Sequence, residues 1–125
     1  MNYVHIVAVL AIVQFFSFGI LVGRARRRHE IKAPATAGHE LFERAFRVHV
    51  NTMEQLVGFL PALLMASVYW RNEVVAGIGA VYLVGRLLYR QLYLADPARR
   101  RAGFLMTVVP TFTLLGMALV GAVTR

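Results

Sequence analysis

Apolar positions run almost unbroken from Tyr3 to Gly23, interrupted only by His5, Gln14 and Ser17. At about 1.5 Å per residue, a helix of this length matches a hydrocarbon core of roughly 30 Å. Arg24, Arg26, Arg27 and Arg28 close the run, so the pattern predicts a first span over about 3–23. A secretory signal would carry a basic residue before the apolar run and a small-residue cleavage site after it. Neither occurs here, and the run is expected to remain as a span.

The Lys32–Gly38 stretch has linker character, and a second helix is predicted over about 39–70. At about 1.5 Å per residue it would reach some 48 Å, longer than the bilayer core. Its first third is therefore expected to stand in the headgroup layer. That part carries Arg44, Arg47, Asn51 and Glu54 at steps of three, four and three, which places all four on one helical face. From Leu56 the residues turn apolar, with Pro61 as a tolerated kink.

Arg71, Asn72 and Glu73 predict a tight turn, and a third span follows over about 74–94. Its second half sets Tyr82, Arg86, Tyr89 and Tyr93 on one face at steps of four, three and four. Asp96-Pro97 suits a helix start, with Asp as cap and Pro in the first position. The fourth span is expected over about 97–123, apolar from Phe104, with Pro110 as a second kink.

Composition narrows the class. Of 125 residues, 58% are hydrophobic and 16% charged, which is too apolar for a soluble chain of this size. The expected fold is an all-α membrane protein, one domain over 1–125 with four transmembrane helices. The net charge of +8 gathers where apolar runs end. That is the pattern of cytoplasmic membrane loops, and nucleic acid is discounted as a partner. With arginines concentrated after spans one and three, both termini fall outside and both polar stripes open to the cytoplasm. There is no cysteine, so any sulfur chemistry must use a sulfur brought by a substrate.

Arg47, Asn51, Glu54, Tyr89, Tyr93 and an arginine of the third loop offer cations for carboxylates, an anion for an ammonium, and neutral donors and acceptors. A small zwitterionic or polyanionic ligand suits them. A metal does not, because His5, His29, His39 and His49 lack ligand spacing with carboxylates. No nucleophile–base pair and no phosphate loop occurs. Structural roles compete. Arg47 and Glu54 together suit an ion pair, Tyr89 and Tyr93 suit an interfacial belt, and His49 suits polar packing. Arg44 suits a solvated or structural role, and Gly19 with Gly23 a helix contact.

The stretch F-E-R-A-F-R-V-H-V-N-T-M-E, from Phe42 to Glu54, resembles the signature of the MAPEG family, membrane-associated proteins of eicosanoid and glutathione metabolism. The likeness extends to Arg26-Arg27, to R-L-L-Y-R-Q-L-Y in span three and to D-P-A-R-R-R-A-G-F before span four. It implies a left-handed four-helix bundle assembled as a homotrimer, with glutathione bound between subunits at the cytoplasmic side. By position, the resemblance assigns Arg47, Asn51, Glu54, Tyr89, Tyr93, Arg26 and His49 to glutathione binding. It assigns Arg100 to stabilising the thiolate, with Arg99 or Arg101 as substitutes if the register slips. The implied activity is a membrane-bound glutathione transferase or peroxidase acting on lipophilic electrophiles or lipid hydroperoxides. The alternative is a non-catalytic lipid- or partner-binding relative. A proton-coupled exporter ranks last, since span one has no carboxylate. Gln55 and the late Pro61 depart from the family pattern, which removes one hydroxyl and changes the expected substrate cleft. In a bacterial source the compartment would be the inner membrane.

Overall fold

Asn2 starts the first helix by accepting the His5 amide on its Oδ1 at 3.0 Å, a side-chain cap for a donor the helix cannot satisfy itself. The computed structural model describes all 125 residues. Its helices are α1 (Tyr3–Arg28), α2 (Glu40–Tyr69), α3 (Asn72–Ala95) and α4 (Arg101–Thr124), with a short 3-10 turn, Pro97–Arg99, ahead of α4.

Three boundaries differ from the sequence expectation. The arginines after Gly23 do not end α1, which continues to Arg28; cations in a last turn complement the helix dipole and favour continuation. The expected turn at Arg71–Glu73 contracts to Trp70 and Arg71, because Asn72 and Glu73 already belong to α3. Glu73 sits in the first turn, where an acid is favourable. Asp96 caps as expected, its Oδ1 accepting the Ala98 amide at 3.1 Å. Pro97, however, opens the 3-10 turn, because the Arg99 amide bonds back three residues to the Asp96 carbonyl at 2.9 Å. The α-helix proper begins only at Arg101. Pro61 and Pro110 lie inside uninterrupted helices.

Tyr3–Arg28, Glu40–Tyr69 and Pro97–Thr124 are long and apolar enough to cross a membrane. α3 has the length but carries Arg86 and Arg90. The outward faces are apolar along the bundle: Val57 and Val68 are each 73% exposed and Phe112 67%. Such surfaces belong in lipid or against other protein rather than in water, and the chain is an integral membrane protein.

All four helices meet in one apolar cluster that includes Val4, Val7, Phe59, Leu63, Val75, Tyr82 and Leu114. Phe59 and Tyr82 stack at its centre with ring centroids 3.8 Å apart. Alanines Ala11, Ala62, Ala66, Ala76 and Ala118 fill the remaining contacts. Small residues let membrane helices approach closely, where packing and not hydrophobicity holds them.

The tightest seam is between α3 and α4. A Cβ on Gly103 would stand 2.3 Å from the Tyr89 backbone nitrogen, and one on Gly85 would stand 2.8 Å from the Met106 carbonyl oxygen. Pro110 lies four residues beyond Met106 and has no amide hydrogen to give that carbonyl. That carbonyl, without its usual i+4 donor, faces a glycine backbone. Gly103 holds the start of α4 directly on Tyr89, which decides where Arg100 can stand.

Candidate functional site

One end of the bundle carries the arginine-rich connections. A cavity of about 470 Å³ opens there, lined by Phe46, Arg47, Val50, Asn51 and Glu54 of α2, Tyr89 and Tyr93 of α3, and Arg100. Six residues expected from the sequence to bind or activate a ligand, Arg47, Asn51, Glu54, Tyr89, Tyr93 and Arg100, thus share one space. Of Arg99, Arg100 and Arg101, only Arg100 lines it. Its Nη1 donates to the Pro97 carbonyl at 2.7 Å, so the 3-10 turn fixes both its backbone and its guanidinium.

None of the charged groups of the cavity is in an ion pair. The ion pairs of the chain are Arg44 with Glu40 and Arg71 with Glu73. Arg47, Glu54 and Arg100 take part in neither and are exposed, which removes the alternative of an Arg47–Glu54 ion pair. Asn51 and Tyr93 are half-buried and Tyr89 is buried. Tyr89 and Tyr93 stack at 5.6 Å and form one wall. Two cations, one anion, an amide and two phenols, with no internal partner among the charges, can take a ligand bearing carboxylates, an ammonium and amides.

The two polar stripes divide differently from their spacing. Arg44 leaves the α2 stripe: its Nη1 donates to the Leu94 carbonyl at 2.9 Å and its Nη2 bonds Glu40. It occupies the last carbonyls of α3 and so has a structural role. Tyr82 and Arg86 share a face with Tyr89 and Tyr93, yet both are fully buried. The face is common to all four, but the neighbours change with depth. Side chains of α2 and α4 enclose Arg86, whereas Tyr89 and Tyr93 line the cavity.

Arg26 and His49 do not line this cavity of their own chain. Arg26 Nη1 donates to the Ala35 carbonyl at 2.8 Å, and its guanidinium lies 4.8 Å over the Phe42 ring. His49 follows Arg47 by two residues, about 200° around the helix, and so faces α1. There it stacks on Phe15 at 4.5 Å. A Cβ on Gly19 would lie 3.1 Å from its Nε2, whereas Gly23 meets nothing. Gly19 alone is the helix contact.

Three contributors were not singled out from the sequence. Phe46 and Val50 line the cavity with the polar residues of α2; Val50 lies three after Arg47 and four before Glu54, and Phe46 four before Val50, so helical spacing would have found them. Gly103 was visible only as part of a motif. Arg86 was visible in the stripe, but its burial was not.

Outside the membrane, His29 and His39 stack at 3.7 Å and close the connection between α1 and α2. Desolvation, with His39 and Arg28 adding positive charge nearby, holds the His29 imidazole below its ordinary value of 6.5.

The model of the MAPEG family matches residues 4–120. An uncharacterized protein of Synechocystis sp. is 39% identical over 114 residues, covering 91% of this chain and 83% of that protein. Microsomal glutathione S-transferase 2 of Mus musculus is 34% identical, covering 90% of this chain and 80% of its own length. Leukotriene C4 synthase of Cavia porcellus is 36% identical, covering 83% and 69%. The chain belongs to the MAPEG family.

Proposed function

We propose that the cavity binds glutathione and that the protein is a membrane-bound glutathione transferase, able to turn the same thiolate on lipid hydroperoxides. The observation that carries this is the convergence of Arg47, Asn51, Glu54, Tyr89, Tyr93 and Arg100, from three elements, on one cavity. Relatives named as a glutathione transferase and a leukotriene C4 synthase support it. Arg47 and Glu54 meet the carboxylate and ammonium ends of the tripeptide, Asn51 meets an acceptor group, and the tyrosine wall orients the backbone.

Arg100 is the catalytic group. A free thiol has a pKa of about 8.5, so little thiolate exists at neutral pH. Each unit of depression requires about 1.4 kcal/mol of preference for the anion. A guanidinium supplies it without titrating itself, and α4 starts beside it with no side-chain cap, leaving first-turn amides that favour an anion. The thiol proton leaves to solvent. The sulfur lone pair then forms a bond to an electrophilic carbon of a lipophilic substrate, and the leaving group departs with its electron pair. With a hydroperoxide, sulfur attacks the distal oxygen and the O–O bond breaks. The alkoxide takes a proton, and a second glutathione reduces the sulfenic acid to the disulfide with loss of water.

In this assembly α3 crosses the membrane with the other three helices, both termini lie outside, and the cavity faces the cytoplasm. Three subunits associate, and Arg26 and His49 of one reach the cavity of its neighbour. The test is a glutathione titration of the purified protein, followed by ultraviolet absorbance of the thiolate, in wild type and Arg100→Ala. Binding with thiolate in the wild type, and binding without thiolate in the variant, is expected. Absence of binding in the wild type refutes the assignment.

A further inference from the structure

Arg86 heads the fully buried side chains by volume, and it lies where α2, α3 and α4 meet. Its Nη2 donates to Asn51 Oδ1 at 2.8 Å and to Thr52 Oγ1 at 3.0 Å, and its Nη1 donates to Thr107 Oγ1 at 3.3 Å. Both threonine hydroxyls give their own protons elsewhere, to the Val48 and Gly103 carbonyls at 2.7 and 2.9 Å. Each therefore offers Arg86 a lone pair and nothing more. Its Nε is buried without a partner, and no carboxylate pairs with it. The guanidinium also covers the Tyr89 ring at 4.3 Å. Here is a buried cation held entirely by neutral oxygens, two of whose neighbours, Asn51 and Tyr89, line the ligand cavity.

A guanidinium has donors and no acceptor. The Asn51 atom that meets it is therefore the carbonyl oxygen, and the amide NH₂ is the end left for the cavity. That NH₂ is not among the buried polar atoms lacking a partner. We propose that Arg86 is a positioning residue that locks Asn51 as a hydrogen-bond donor toward the cavity. The site then selects an acceptor at that point, a carboxylate or peptide carbonyl of the bound thiol peptide. Without Arg86 the Asn51 amide can present either end, and the donor is no longer preset. This inference rests on glutathione as the occupant of the cavity.

Asn51→Asp separates the two roles of that side chain. Its carboxylate would face Arg86 and complete the missing ion pair, so the melting temperature of the purified protein is expected to rise. The other carboxylate oxygen would face the ligand acceptor, and glutathione affinity is expected to fall about tenfold or more. Adding Arg86→Met to Asn51→Asp should abolish the thermal gain. Arg86→Lys keeps the charge but not the fork; it should weaken glutathione binding, and Asn51→Ala on top of it should add little further loss, because both changes remove the same donor. Asn51→Asp binding glutathione like wild type overturns the proposal, as does a full, independent loss from Arg86→Lys and Asn51→Ala combined. A wild type that binds no glutathione refutes the ligand assignment instead. The thermal shift then decides alone whether Arg86 holds Asn51.

Discussion

The two ends of this bundle are stabilised by different means. Around Phe59 and Tyr82, all four helices interlock in a continuous apolar cluster. At the cavity end, apolar contact shrinks to two small groups, Phe18–Val48–Tyr89 and Val22–Phe42–Ala45. Hydrogen bonds replace the missing packing there. Arg44 binds the end of α3, Arg86 ties α3 to α2 and α4, and Arg26 anchors the α1–α2 connection. A close-packed end tolerates no vacancy, whereas a hydrogen-bonded end can leave space and uncommitted charge for a ligand.

The contrast can be broken at either end. Phe59→Ala removes the centre of the close-packed end, and a loss of about 3–5 kcal/mol is expected from the cavity it leaves. Glutathione binding by the surviving folded protein should persist, because no residue of that cluster lines the ligand cavity. A thermal melt with and without glutathione checks both statements. Gly103→Ala strikes the seam between the ends. Its Cβ would meet the Tyr89 backbone at 2.3 Å, so α4 must shift, at about 1–3 kcal/mol. Unlike Phe59→Ala, it should remove thiolate formation as well, since Arg100 and Tyr89 move apart. Normal thiolate absorbance in this variant would contradict the role given to the seam.

Smaller effects sharpen the same contrast. Arg47→Ala and Glu54→Gln remove charges that have no partner within the chain. Stability should stay within about 0.5 kcal/mol, while glutathione affinity falls about tenfold for each. Equal losses in both measurements would mean that these groups hold the fold. The smallest effect concerns His29. Its pKa is lowered by desolvation first and by His39 and Arg28 next, so the unfolded chain takes up a proton before the folded one. The contribution of this site is complete above pH 6.5 and declines as pH falls from 6.5 through the lowered value. His29→Gln should flatten the melting temperature across that window, and an unchanged slope would exclude the stacked pair as its source.

Much of the architecture was legible because membrane insertion leaves strong marks in a chain. A helix that crosses lipid must be apolar over a set length, so α1, α2 and α4 stand out as runs bounded by arginines. Arg47, Asn51 and Glu54 were legible for a related reason: such groups have no place against lipid, and their spacing places them on one face. Helical spacing reports direction and not depth of enclosure. It could not tell that Tyr82 and Arg86 are sealed inside while Tyr89 and Tyr93 face a cavity, or that Arg44 folds back onto α3.

The chain's own pattern thus determined that it is helical, where its helices run, and which polar residues must avoid lipid. Only the tertiary structure decided which of those residues meet. Arg100 shares a cavity with Tyr89 because Gly85 and Gly103 let two backbones touch. Arg26 and His49 fall away from their own chain's cavity because one lies in the last turn of α1 and the other around the far side of α2. Asn51 presents its amide because a buried guanidinium has no acceptor to offer. These outcomes depend on contacts between helices, and such contacts exist only once the bundle has closed.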